Sequence, residues 1–163
     1  MTKYVCGVDP GTFGAICLYN PELPLILFDM PILKISRNGK ERNQIDLYAL
    51  ARWVDEHSKD IKHAYIENPQ GMPAMASNST YRLGLNCGIA QMAIAANLIP
   101  MTLIAPATWK KAMGLGKSKD DSRLKASQLC PVQSSLFSRA KDDGRAESLL
   151  LAIYGLKMAG NPG

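Results

Sequence analysis

Tyr4-Val5-Cys6-Gly7-Val8-Asp9-Pro10-Gly11-Thr12-Phe13-Gly14-Ala15-Ile16-Cys17-Leu18-Tyr19 sets the frame for the rest of the chain. Its ends, 3–8 and 15–19, are short β-rich runs, and the stretch from Asp9 to Gly14 between them carries Pro10, Gly11 and Gly14. This pattern predicts strand, tight turn, strand. Asp9 falls at the end of the first strand, where the sheet is a rigid platform for an exposed side chain. Gly11 and Gly14 permit an unusual turn or the close approach of a ligand. An aspartate in this place also closes Asx turns, so Asp9 alone does not define a site.

Working outward, Leu25 to Met30 follows the turn residues Asn20-Pro21-Glu22 and reads as a third strand, which predicts an antiparallel meander. The polar, basic stretch from Lys34 to Asn43 is expected to be an exposed loop. Leu47, Leu50, Ala51 and Val54 recur at i, i+3, i+4 and i+7 and predict an amphipathic helix over about 44–58. His63 to Glu67 is a fourth strand, 69–79 a loop, Thr80 to Leu98 a helix rich in small residues, and Met101 to Ile104 a fifth strand. Pro106 to Lys111 starts a helical turn, Gly114 to Lys119 is a basic connection, and helices are expected over about 120–129 and 142–158. The order predicts an α/β fold. It is a mixed five-stranded sheet, an antiparallel meander plus parallel strands, with helices on both faces. This order resembles that of ribonuclease H-like domains.

Composition sets the outer limits. The chain has 163 residues, 47% hydrophobic and 20% charged, which excludes wholesale disorder and fits a single domain over 1–163. A chain of this size buries enough surface to fold without disulfides or a structural metal. Cys6, Cys17, Cys87 and Cys130 show no short metal or redox spacing and sit in apolar surroundings, so reduced thiols are expected. No signal peptide is read at the start, and Ile89 to Ala107 is interrupted by Gln91, Asn97, Pro100 and Pro106, too polar for a membrane span. A cytoplasmic location is expected, of a host cell if the chain is phage-encoded, with an organelle matrix left open. The net charge of +5 points weakly to a polyanionic partner.

Three further carboxylates stand out. Glu67 ends the fourth strand, in Ala64-Tyr65-Ile66-Glu67-Asn68-Pro69. Strands one and four are expected to be neighbours, so Asp9 and Glu67 meet at one edge. Asp143 and Glu147 are four apart in Asp142-Asp143-Gly144-Arg145-Ala146-Glu147-Ser148-Leu149-Leu150 and share one helix face, continued by Leu150, Leu151 and Tyr154. Asp142 and Asp143 also suit a helix N-terminus for electrostatic reasons alone; that explains Glu147 less well. Together Asp9, Glu67, Asp143 and Glu147 make an oxygen-donor set suited to hard divalent cations. Two such ions can activate water and stabilise the leaving oxygen of a phosphodiester. His57 and His63 are read as surface or packing residues.

These motifs resemble, in order, those of the RuvC-type Holliday junction resolvases. Val5-Cys6-Gly7-Val8-Asp9-Pro10-Gly11 is similar to their opening, and Ala64-Tyr65-Ile66-Glu67 to their second acidic strand. Thr80-Tyr81-Arg82-Leu83-Gly84 through Gly88-Ile89-Ala90 is similar to their central helix, and Ala105 to Lys111 to their proline- and lysine-bearing segment. Asp142 to Ala152 resembles the acidic final helix of their phage and organellar relatives. The resemblance implies a homodimer that cuts four-way DNA junctions with magnesium, or manganese in its place, two ions per site. It makes Asp9, Glu67, Asp143 and Glu147 the metal ligands. Several bacterial members space the last two acids by three, here replaced by four, which leaves Asp142 as an alternative to Asp143.

Lys110, Lys111, Lys117, Lys119, Arg123 and Lys125 form the densest basic region, offset in part by Asp120 and Asp121. They suit phosphate neutralisation, and the resemblance makes Lys117 or Lys119 the leading candidate to assist catalysis. Trp109 is expected to pack. The loop after Glu67 is expected near the junction, with Gln70, Met72, Tyr81 and Arg82 toward DNA. The family places an aromatic in that loop, and none stands between Glu67 and Tyr81 here. Two other readings use the same residues. A junction-binding protein without catalysis accounts for the basic charge but not for four carboxylates facing phosphate. The Asp9-to-Gly14 turn also resembles that of actin-like sugar kinases, which need a second lobe that 163 residues do not supply.

Overall fold

The structure is a computed structural model that describes residues 3–70, 75–116 and 118–160. Three strands, β1 (Tyr4–Asp9), β2 (Ala15–Tyr19) and β3 (Ile26–Asp29), form the antiparallel meander. A two-stranded hairpin, β4 (Ile32–Arg37) and β5 (Lys40–Ile45), follows and then α1 (Leu47–His57). β6 (Ile61–Glu67), α2 (Ser77–Ala96), β7 (Met101–Ile104) and α3 (Pro106–Ala112) come next. The chain then passes through α4 (Lys119–Leu129) and a 3₁₀ stretch at Pro131–Phe137 into α5 (Asp143–Gly160). The main sheet has the order β3-β2-β1-β6-β7, with β1, β6 and β7 parallel. The mixed five-stranded sheet with helices on both faces is the architecture the sequence predicts.

Alternation along the central strands divides the interior in two. Cys6, Val8, Ile16 and Leu18 face α1 and α2 through Leu50, Val54, Ala90 and Ile94. Val5, Cys17 and Tyr65 face the other way, onto Trp109, Phe137 and α5. β1 is covered on both faces and so reads as a continuous apolar run. α5 is buried from Ser148 to Gly155 on every side, because it lies between β1 and β2 on one flank and α4 on the other. The four cysteines are free and buried, and burial pushes the Cys6 thiol up to about 12. Among the described residues no helix is long and apolar enough to cross a membrane.

The expected loop at 34–43 is a correction: it is the β4–β5 hairpin. Arg37 pairs with Lys40 across a two-residue turn, and Asn38 and Gly39 both have positive φ, 53° and 72°. That is the conformation an Asn-Gly hairpin turn requires, and Ile32, Leu33, Ile35 and Ile45 supply the flanking apolar residues. The basic side chains obscured that pattern. α2 also begins at Ser77, before the expected Thr80, and the 3₁₀ stretch at Pro131–Phe137 had no legible period.

Candidate active site

Val8 and Ile66 are in register on parallel β1 and β6, so Asp9 and Glu67 emerge side by side at adjacent strand ends. The Gly11 N–H donates to Asp9 Oδ1 at 3.0 Å, and the Gly14 N–H closes the turn on the Gly11 carbonyl at 2.8 Å. A Cβ on Gly14 would collide with the Asp9 carbonyl oxygen, so the turn folds back on the strand end only with glycine there. α5 is brought in by two more glycines. A Cβ on Gly7 would meet the Ser148 carbonyl and the Ala152 amide, and one on Gly144 the Phe13 carbonyl and Gly14. The helix therefore lies directly on β1 and on the turn. Glu147, one turn into α5, comes close enough that its charge acts on both Asp9 and Glu67.

α3 fixes the other two acids. Pro106 starts it directly after β7, the strand next to β6. Fully buried Trp109 donates its indole Nε1–H to Glu67 Oε1 at 3.0 Å. Lys110 Nζ donates to Glu147 Oε1 at 2.7 Å and lies 5.3 Å from the Trp109 ring centroid. Ser122 on α4 donates to the same Glu147 oxygen at 3.4 Å.

Charge at this point is unbalanced. Burial pushes the Asp9 carboxyl up to about 7; the Gly11 N–H opposes this, Glu67 and Glu147 add to it, and Lys110 draws it down. Glu67 is also raised, by burial first and then by Glu147, with Lys110 and the Trp109 N–H opposing. Burial lowers the Lys110 ammonium, but Glu147, Glu67 and Asp9 together hold it above its ordinary value. Among the described residues Lys110 is the cation that acts on this cluster, and the buried neighbours Asp9 and Glu67 resist ionising together.

Asp143 stands one turn before Glu147, with its Oδ1 3.4 Å from Arg123 Nε. That oxygen is buried and accepts no hydrogen bond, so the contact is an ion pair only. Asp142 points elsewhere and is 1% exposed. It accepts from Arg139 Nη2 at 2.8 Å and from the Arg139 backbone N–H at 2.9 Å, and the Arg139 hydrogen bond holds its carboxyl below the ordinary range. Asp142 is thereby occupied in closing the 3₁₀ turn Ala140–Asp142 ahead of α5, and Asp143 is the acid one helical turn from Glu147.

These acids offer the carboxylate oxygens that a hard divalent cation takes: Asp9 and Glu67 are held toward the neutral state by burial and like charge, and the buried Asp143 Oδ1 accepts no hydrogen bond. The set is not closed around a point. Among the described residues no three His, Cys, Asp or Glu side chains form a ready metal group. Lys110 and Arg123 hold Glu147 and Asp143 instead.

The remaining expected site residues scatter. Tyr81 is 69% exposed and Arg82 is exposed beside it on α2, while Gln70 and Lys111 are exposed. Arg123 is mostly buried between Asp143 and Asp120. Met72 and Lys117 lie outside the described residues, as does the Lys119 side chain at the start of α4. The sequence predicts Trp109 as a packing residue and Lys110 as a DNA contact; in the structure Trp109 is packed and also holds Glu67, and Lys110 holds Glu147. The signal was their place on a helix that starts at the strand end beside Glu67.

Neither a family model nor a curated protein sequence matches the chain. Solved structures do. Thermus thermophilus RuvC in complex with Holliday junction substrate aligns with a TM-score of 0.63 at 15% identity, over 97% of this chain and 95% of that one. Thermus thermophilus RuvC alone gives 0.57 at 14% identity, over 96% and 95%. The yeast mitochondrial Holliday junction resolvase gives 0.55 at 17% identity, over 98% and 80%. The chain therefore has the fold of RuvC-type resolvases, as its motifs predict.

Proposed function

We propose that this chain is a metal-dependent DNA endonuclease that resolves four-way junctions as a homodimer. One observation carries the reading. Asp9, Glu67 and Glu147 converge from two strand ends and a helix, with Lys110 as the cation facing them among the described residues, in a chain with the fold of junction resolvases. Asp9, Glu67, Asp143 and Glu147 would hold magnesium, or manganese in its place. Two such ions supply an activated water and neutralise the leaving oxygen of a phosphodiester. The chain's own part is positional. The Gly11 N–H and the strand end orient Asp9, Trp109 fixes Glu67, and the glycine contacts of α5 fix Glu147. Lys110 Nζ pairs with Glu147 here, and were Glu147 to ligate a metal the ammonium would be free to face the phosphate. Each cut would leave a 5′-phosphate and a 3′-hydroxyl.

The dimer reading is supported by the outer side of α2 and the edge strand beside it. Met92 on α2, Leu98 just past its end and Leu103 on β7 are exposed apolar side chains suited to a second copy. A two-fold axis would give two equivalent sites for a two-fold substrate. The test is incubation with labelled four-way, flap and linear duplex DNA in magnesium, manganese or chelator. The expected result is metal-dependent cutting with the four-way junction preferred. No cutting of any branched DNA in either metal removes the reading. A second reading, junction binding without cutting, draws on the pairing of Glu147 with Lys110 and of Asp143 with Arg123. It predicts junction affinity indifferent to metal.

A further inference from the structure

The β4–β5 hairpin and the first half of α2 enclose a groove of about 420 Å³. Arg42, Asn43 and Gln44 line it from β5, and Asn78, Tyr81 and Arg82 from α2. No carboxylate is among its lining residues, unlike the neighbouring acid cluster. The hairpin pairs only with itself, so it projects from the main sheet. Its fourteen residues, 32–45, carry Lys34, Arg37, Lys40 and Arg42 against the single acid Glu41. Arg42 is exposed and makes no ion pair among the described residues. Two contacts hold the groove in place. Arg82 Nη2 donates to the Asn43 carbonyl at 3.2 Å, joining the hairpin to α2. Asn86 Nδ2 donates to Thr12 Oγ1 at 3.0 Å, joining α2 to the turn that carries Asp9. Thr12 itself lines the groove, so the groove opens from the catalytic turn.

The chemistry of this lining selects a nucleic-acid strand. Guanidinium groups meet phosphate oxygens, carboxamides pair with base edges and sugar oxygens, and an exposed phenol ring offers a stacking face. We propose that the groove between the hairpin and α2 is a second DNA-binding site, which takes the arm of a branched substrate next to the strand held at the Asp9 turn. Arg42 is its main phosphate contact, and Tyr81, Asn43 and Gln44 meet the nucleotides. This proposal rests on the endonuclease reading but concerns residues outside the acid cluster.

The experiment compares the full chain with Arg42→Glu, Tyr81→Ala and, as a control of equal charge change, Arg52→Glu at an exposed position on α1. A labelled four-way junction is bound in chelator over a range of salt and cut in magnesium. For Arg42→Glu the expected result is about tenfold weaker binding and a salt slope shallower by about one, the signature of one lost phosphate contact. KM should rise in step while kcat at saturating junction stays unchanged, and Tyr81→Ala should weaken binding with the salt slope unchanged. If Arg42→Glu and Arg52→Glu match in affinity, salt slope and KM, and Tyr81→Ala matches wild type, the groove is not a DNA site, although the endonuclease reading stands. If the wild-type chain neither binds nor cuts branched DNA, the endonuclease reading falls and the groove proposal with it.

Discussion

The acid cluster and the hairpin groove meet at one turn, Gly11 to Gly14, and are built from opposite materials. The cluster is interior, acidic and enclosed by glycine contacts. The groove is open, basic and rich in amides, and its walls are a self-paired hairpin and the start of a helix. The first has little room to move: Asp9 and Glu147 are set by packing that a single methyl group would disturb, and Glu67 by the Trp109 hydrogen bond. The second tolerates substitution at Arg42 and Tyr81, whose side chains are exposed. Changes in the cluster should therefore act on turnover and stability, and changes in the groove on affinity.

The largest effect expected is from Asp9→Asn. Cutting should fall by about 10³-fold, the upper range for loss of one electrostatic stabiliser, with junction affinity retained. Next comes Trp109→Phe, which keeps the buried ring but removes the donor to Glu67. Cutting should fall by about 10–100-fold, as for loss of a group that orients a metal ligand, and the metal concentration for half-maximal rate should rise. Gly7→Ala places a methyl group against the Ser148 carbonyl. It should cost about 1–3 kcal/mol, read as a drop in Tm of about 2–4 °C per kcal/mol. If Gly7→Ala melted and cut like wild type, the close seating of α5 on β1 would not be what positions Glu147.

The smallest effect is a pair of opposite pH dependences, read by thermal melts in chelator. Asp9 has a folded pKa of about 7, above its ordinary 3.8, so between those values the folded state holds the extra proton. Stability should fall as pH rises through that window, and Asp9→Asn should make the fall shallower, leaving the part that Glu67 carries. Asp142 is lowered, so the Arg139 contact contributes fully above 3.8 and is lost as pH falls through the lower folded value. Asp142→Asn should flatten the acid limb.

The same contrast explains what the sequence disclosed. The meander, β6, β7 and the long helices were legible because apolar runs and helical periods repeat over many residues. Asp9 and Glu67 were legible because each ends an apolar strand, and Glu147 because it precedes the apolar stretch of α5. The hairpin was read as a loop because Lys34, Lys40 and Arg42 outweighed the Asn38-Gly39 turn signal between short apolar flanks. The roles of Trp109 and Lys110 were hidden for another reason. They arise from α3 following the strand next to β6, a neighbour relation set by sheet order and not by local pattern. Asp142 and Asp143 are adjacent aspartates, and the Arg139 contact separates the one that closes the 3₁₀ turn from the one beside Arg123.

The central claim, that the acid cluster is a metal-dependent cutting centre, is tested most directly with Asp9→Asn. Binding and cutting of one labelled four-way junction are measured side by side, for wild type and variant, in magnesium. The account predicts equal binding, with cutting by the variant slower by about 10³-fold. Undiminished cutting by Asp9→Asn would contradict it.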